Sequence, residues 1–374
     1  MIKLSHSSVT RFNLCNKEYQ LYYIEKLRPL NMSSSLLFGK AIDESCEHYI
    51  KNRNAGAARE IFRKLWREQE HNGELIDLSS STAIDYHNLD FDHELLIQSD
   101  HELILKGTLF ATTLELFKDI KSKQERTEEE SQRLAYCNWI SVFRKGHFLL
   151  NKFIEWVDNY VEDVLSCQEE ITLEHSETRT VTDYRSGETY EQKSIVTGKA
   201  DFVLKIKGIE GPMVVDLKTT TRFYDRNSVV ESDQLALYSF FLKDKYPEMK
   251  QAGYVVLHKA IKKNREKICS VCGHDDSGTN NKTCTNKITG KRCNGAYNYK
   301  INPEATLQFI YDTVPEEKIT AVLDSFNIAE QAISKQEFPA NLKACERYNG
   351  KFNCIYYEYC KSGCMSGLFK KENK

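Results

Sequence analysis

The sequence has no apolar run long enough to cross a bilayer, and its first residues, MIKLSHSSVTRFNLC, are too polar for a secretory signal. Both absences point to a cytoplasmic chain with no membrane partner. Net charge is also lacking: 52 Lys and Arg against 54 Asp and Glu leave a formal charge of −2. So weak a field does not announce nucleic acid, and any such partner must meet local basic patches. There is no internal repeat and no helicase motif, so a motor acting with this protein would be a separate chain. The 374 residues are enough for a sizeable core and too many for a single small domain.

Cysteine, by contrast, is plentiful, with twelve in the chain. In a reducing compartment such a count suggests metal ligands rather than disulfides. Cys46, Cys137, Cys167 and Cys364 are thinly spread. Cys269, Cys272, Cys284 and Cys293 form C-x2-C…C-x8-C, separated by glycine, asparagine and lysine with almost nothing to build a core. A tetrahedral zinc ion would supply the missing folding energy. The plainer alternative, free thiols on a loop, is a poor account of four thiols at ligand spacing, and His274 is then a spare. Lys262, Lys263, Lys282, Lys287, Lys291 and Arg292 bring positive charge to this insert, suited to phosphate.

Along the chain, residues 5–27 read as a helix with Phe12, Tyr19, Tyr22 and Tyr23 on one side. A serine-rich entry, SSSLLFGKAIDESCEHYI, leads into a second helix. Residues 51–163 are helical and charged in pattern, and KDIKSKQERTEEESQR is a solvated helix or loop. From Cys167 the composition turns to threonine, valine and isoleucine, broken by RSGE and KGIEG, which predicts a meander of antiparallel strands. A helix at SDQLALYSFFLKDKYP, a strand at AGYVVLHKAI, the cysteine insert, a strand at ATLQFIYDTV, a last helix and a cysteine-rich tail complete the chain.

GKADFVLKIKGIEGPMVVDLK reads as a hairpin with Gly208 and Ile209 at its tip. Asp201 then lies across from Asp216, Phe202 from Val215 and Leu204 from Met213, and the polar and apolar faces agree on both strands. Opposed side chains stand about 5 Å apart at Cβ, where two carboxylates repel unless a cation bridges them. A hard divalent ion, magnesium or manganese, fits such ligands. Lys218, two residues past Asp216, would stand beside that ion and orient an attacking water or offset developing charge. The bland reading is a surface hairpin with scattered charges. Gln234 and Tyr238, four apart on the next helix, share one face; taken alone, such a pair is ordinary helix surface.

The order G-x-x-D at Gly198–Asp201, D-x-K at Asp216–Lys218 and Q-x-x-x-Y at Gln234–Tyr238 resembles the RecB-like branch of the PD-(D/E)xK nucleases. That branch includes recombination nucleases, CRISPR-associated exonucleases and phage exonucleases. LSHSSVTRFNLCNKEYQLYYI looks like the branch's opening segment. The resemblance implies a restriction-endonuclease-like α/β fold: a central mixed sheet flanked by helices, carrying a helical insertion and a small zinc insert. It implies metal-dependent hydrolysis of DNA phosphodiesters by an exonuclease, in recombination, repair or phage DNA processing. Asp201, Asp216 and the Leu217 carbonyl would hold magnesium or manganese, Lys218 would act near the nucleophile, and Gln234 and Tyr238 would position the lysine or the backbone. Four residues after Gly39, where the branch usually has a metal-binding histidine, this chain has Asp43. Asp43 can ligate magnesium, His48 or Glu44 could replace it, and Glu170 or Glu174 could complete the site.

Some members of the branch hold a four-iron four-sulfur cluster with one N-terminal and three C-terminal cysteines in C-x2-C-x5-C. The resemblance would place it on Cys15, Cys345, Cys354 and Cys360, with ERYNGKFN in place of a two-residue spacer and Cys364 as a substitute. The implied division is 1–50 and 166–261 for the nuclease core, 51–165 for the helical insertion, 262–300 for the zinc insert, and 301–374 for the end of the core and the tail. The expected partner is DNA, single-stranded or with free ends, with a helicase or recombination protein alongside. The rival expectation is an inactive DNA-binding or complex-forming subunit of the same fold, and an RNA nuclease is a third.

Overall fold

The central hairpin has the register that its alternation predicts. It is seen in a computed structural model that describes residues 2–66, 70–71, 74–77, 125–174, 179–182, 189–192, 194–221, 224–259, 263–274, 283–288, 291–301, 306–347 and 352–371. The elements that frame the site are β1 (Ile2–Leu4), α1 (His6–Leu14), α2 (Ser34–Asn52), α3 (Ala55–Trp66), α4 (Glu128–Tyr160), β2 (Val161–Glu174), β3 (Ser194–Ile206), β4 (Pro212–Thr220), α5 (Asp233–Leu242), β5 (Gln251–His258), β6 (Leu307–Asp312) and α6 (Glu316–Ser334). β3 and β4 pair antiparallel with Val215 opposite Phe202 and Met213 opposite Leu204. The paired register ends at Phe202 and Val215, one residue short of Asp201 and Asp216, and beyond it the Asp201 carboxylate accepts the Leu217 N–H. Gly208 turns the chain at φ 79°, a conformation that costs glycine little.

The sheet is mixed. Its order is β1–β3–β4–β5–β6, with β2 also paired to β3. β4 and β5 run parallel, as the α5 crossover between them requires, and β6 returns antiparallel. One face carries Phe202, Leu204, Met213, Val215 and Leu217 against α2, α3 and α4. The other carries Val203, Val214 and Val256 against α1, α5 and α6. Helices therefore flank the sheet on both sides. This changes the setting of the site: the polar strand face expected at Asp216 is instead covered, and Asp216 is only 1% exposed.

Two elements differ from the sequence pattern. The single helix expected over 5–27 breaks at Cys15, which is extended at φ −160°, ψ 113°. The tail causes the break's bonding: Asn341 N–H reaches Cys15 Sγ at 3.3 Å, and the Asn341 amide donates to the Leu14 carbonyl at 2.9 Å. The chain then resumes as a short helix, Asn16–Tyr19, and a π-helical turn, Gln20–Ile24. Within the helical pattern of 51–163, two short strands, Glu70–His71 and Glu74–Asp77, were not announced by periodicity. Part of that region, including 118–124 of the polar stretch, lies outside the described residues.

Candidate active site

Strand β4 presents Asp216 and Lys218, and its neighbours hold both in place. Lys218 Nζ lies 2.6 Å from Asp216 Oδ2. It also donates to Gln234 Oε1 at 2.9 Å, while the same amide's nitrogen donates to Asp216 Oδ1 at 2.7 Å and to the Tyr238 hydroxyl at 3.0 Å. Tyr238 in turn donates to the Lys199 carbonyl at 2.7 Å. Helix α5 thus clamps the acid–lysine pair through one glutamine. Gly198 permits this: a Cβ there would sit 3.1 Å from Tyr238 Cε1, so the strand and the ring approach as closely as they do because the motif begins with glycine.

Asp201 faces the same point. Its Oδ2 accepts the Leu217 N–H at 2.9 Å, and Gln168 donates to Oδ1 at 3.4 Å. Asp43 comes in from α2, whose close passage over β4 brings Gly39 against Thr219. Of the alternatives on that helix, Glu44 pairs with Lys40 at 3.4 Å, and His48 Nδ1 lies 3.3 Å from the Asn52 amide. Glu170 is exposed and faces a neighbouring cleft; the side chain of Glu174 lies outside the described residues.

The electrostatics follow from this convergence. Burial, then Asp216, pushes the Asp43 carboxyl up to about 7. Burial, then Asp216 and Asp43, holds Asp201 well above the carboxylate range. Burial raises Asp216 as well, against the pull of Lys218. Burial would pull Lys218 down, but Asp216 and Asp201 overcome it and raise its pKa. Asp216 Oδ2 is buried, and its partner is the Lys218 ammonium. Three carboxylates thus raise one another's pKa, a repulsion that a hard divalent cation would relieve, though among the described residues only the four cysteines bring their ligand atoms within 4.8 Å of one another.

A stability test follows. A carboxyl whose pKa is raised on folding binds its proton more tightly in the folded state, so magnesium-free protein loses stability as pH rises from about 4 to about 7. Asp43→Asn is expected to melt above wild type, by a margin that widens across that window. Melting curves at pH 5 and pH 8 check this, and an unchanging margin would contradict it.

A cleft of about 720 Å³ opens beside Asp43 and Asp201, lined further by Glu47, His48 and Gln168. Sequence reasoning missed Gln168. It has φ 57°, a left-handed backbone on a non-glycine residue, and lies between the paired residues Cys167 and Glu169, whose partners Phe202 and Ala200 flank Asp201. It also missed His6, whose pKa burial lowers and which feels Asp233, Lys218 and Asp216. Neither carries a motif that could have found it.

The two cysteine sets differ in geometry. The sulfurs of Cys269, Cys272, Cys284 and Cys293 all lie within 4.8 Å of one another, with Cys269–Cys293 at 3.7 Å and Cys272–Cys284 at 3.5 Å. Four thiolates around one ion at about 2.3 Å would stand about 3.8 Å apart. The N–H groups of Val271 and Cys272 point at Cys269 Sγ, and the His274 N–H pulls the Cys272 thiol down to about 6. Here is a four-thiol cluster able to hold a metal ion. Lys287, Lys291 and Arg292 are exposed on it; Lys262 and Lys282 lie outside the described residues.

At the other end, the tail packs on the first segment. Leu368–Lys370 pairs with Leu27–Pro29, and Tyr356 donates to the Leu27 carbonyl at 2.8 Å. Burial, then Cys345 and more weakly Cys15, raises the Cys360 thiol. Cys354 N–H bonds the Cys345 carbonyl at 3.0 Å. Residues Glu346–Arg347 pair with Phe352–Asn353, so the interval between the two cysteines is looped out as a hairpin. Cys354 Sγ lies 4.0 Å from Glu18 Oε2, and Cys364 is exposed.

The chain belongs to the PD-(D/E)XK nuclease superfamily, whose sequence pattern matches residues 92–361. The match takes in Asp201, Asp216, Lys218 and both C-terminal cysteine groups, and leaves His6, Cys15 and Asp43 outside it. Among solved structures, the crystal structure of SSO0001 aligns over 96% of each chain at 10% identity with a TM-score of 0.24, too loose a likeness to carry an argument. No curated protein matches the chain.

Proposed function

We propose that this protein is a magnesium- or manganese-dependent DNA exonuclease of the RecB-like branch. The observation that carries the reading is the convergence of Asp43, Asp201 and Asp216 on Lys218, a buried acidic group with a lysine held by Asp216 and Gln234. Asp43, Asp201, Asp216 and the Leu217 carbonyl would hold the cation. When bound, such an ion makes water a stronger nucleophile and neutralises charge on the phosphate. Lys218 supplies positive charge at the reacting phosphate, and its clamp fixes where that charge sits. Gln234 sets the lysine against Asp216, and Tyr238 braces the glutamine on β3. DNA is the proposed substrate, in recombination, repair or phage DNA processing, in the cytoplasm and with a separate helicase or recombination partner. The domain division given by the sequence is proposed with it, residues 51–165 being a helical insertion and 262–300 a zinc insert.

The direct test is cleavage with magnesium on single- and double-stranded DNA, with free and with blocked ends. Degradation of free ends alone supports the exonuclease; cutting of closed circles at the same rate would overturn it. Lys218→Ala should then lower kcat by about 100-fold or more while leaving DNA affinity near wild type, because its charge is needed in the transition state. A proportional loss of binding and cleavage would reduce Lys218 to a phosphate anchor.

For the tail we propose a four-iron four-sulfur cluster on Cys15, Cys345, Cys354 and Cys360, supported by the hairpin that removes the long interval from the ligand spacing. Anaerobically purified protein should be brown and contain iron, and Cys15→Ser should bleach it while Cys364→Ser should not. Colourless, iron-free protein would leave these as packing thiols.

A further inference from the structure

We propose that a second cleft, at Lys3, His6 and Lys199, is a phosphate-binding subsite that holds the nucleic-acid backbone next to the reacting phosphate. This rests on the nuclease reading of the adjoining carboxylates. The cleft has a volume of about 390 Å³ and shares Gln234 and Tyr238 with the acid–lysine site. It lies on the far side of β3 from Asp43, and Lys199 lines both clefts.

The fold builds this cleft from distant sequence. β1 runs parallel to the start of β3, with Leu4 beside Val196, and Thr197 Oγ1 donates to the Leu4 carbonyl at 3.3 Å. That pairing sets Lys3 and His6 beside the strand that carries Lys199 and Asp201. The Lys199 backbone is fixed by the Tyr238 hydroxyl, while its side chain is exposed. Among the described residues neither Lys3 nor Lys199 is taken up in an ion pair.

The two clefts differ in charge balance. The first sets Asp43, Glu44, Glu47 and Asp201 against Lys40, Lys51, Lys64 and Lys199, so its charges cancel in number. The second gathers two ammonium groups, an imidazole and the hydroxyls of Ser5 and Ser7, with Glu170 as its one carboxylate. It attracts a phosphate with no metal present. A strand lying across Lys199 would be held on the basic side while its neighbouring phosphodiester reaches the carboxylates. The ligand is thus a backbone phosphate of DNA, either internal or terminal.

The test separates this subsite from catalysis. Anisotropy of a labelled single-stranded oligodeoxynucleotide is measured in magnesium-free buffer across a salt series. Lys3→Ala and Lys199→Ala should each weaken binding severalfold and make the slope of log affinity against log salt shallower by about 0.7, the value for one single-strand phosphate contact. Lys250→Ala, on an exposed lysine at the other end of the sheet, should change neither. Oligonucleotides with and without terminal phosphates, and a closed single-stranded circle, identify the occupant. Weaker binding without the end phosphate assigns the subsite to a terminus, and equal binding of the circle assigns it to an internal linkage. Wild-type affinity and slope in both lysine variants, or no metal-free binding by wild type, would overturn the subsite. Wild-type protein that binds as described but never cleaves with magnesium would instead sink the nuclease reading and leave the subsite standing.

Discussion

Asp216→Asn should cut DNA cleavage by about a thousandfold or more, the scale on which removing a preorganised charge from a reacting centre is felt. The change is nearly isosteric, so the strand and its packing are kept. What it removes is the charge. Asp216 is the acid to which everything else in the site is tied: Lys218 at 2.6 Å, Gln234 at 2.7 Å, and the mutual repulsion with Asp43 and Asp201. With the carboxylate neutralised, the proposed cation would lose its most buried ligand, and Lys218 the partner that fixes it. A second readout separates these effects from simple misfolding. Magnesium should raise the melting temperature of wild type, because it binds only the folded site, and should raise that of Asp216→Asn far less. A variant that cleaves near the wild-type rate would place the reaction elsewhere in the molecule.

The centre of this site was legible because it is local. Asp201 and Asp216 are joined by a short hairpin, and alternation together with the glycine at 208 determines the pairing. Gln234 and Tyr238 are one helical turn apart, and a turn of helix is readable from spacing alone. What could not be read is whatever depends on packing between distant segments. Burial on both faces of β4 requires knowing that α2 covers one face and α5 the other. Gln168 reaches Asp201 through the pairing of β2 with β3, and a left-handed residue at a glutamine leaves no trace in composition. His6 arrives beside Lys218 because three residues of β1 pair with a strand nearly two hundred positions later. The tail shows the limit of spacing arguments in another way. The long interval between Cys345 and Cys354 looks like a departure in one dimension, yet a two-stranded loop-out brings its ends together.

The metal of the four-cysteine insert gives the second large effect, and the ion proposed for it is zinc. Protein purified without chelator should carry one zinc per chain at this site, and Cys284→Ser should lose it. Among the described residues, the buried ones of the insert are few: Cys269, Cys284 and Tyr297, with Cys272 and Cys293 packed against them. So small a cluster cannot offset the entropy of ordering its loops, whereas a structural zinc ion contributes about 10 kcal/mol or more. Its loss should therefore unfold residues 263–301 locally and open them to protease, while β5 and β6, paired with each other from Ala252–Asp312 to Leu257–Leu307, stay protected. Gly295→Ala offers a test that leaves every ligand in place. A Cβ there would meet Cys269 Sγ at 2.5 Å and Val271 at 2.9 Å, so the thiol must move out of the ligand geometry. The same zinc loss and the same protease pattern are expected from this one added methyl group. Full zinc content in Cys284→Ser, or a wild-type insert as readily cleaved as the variants, would show that the four thiols come together without an ion to hold.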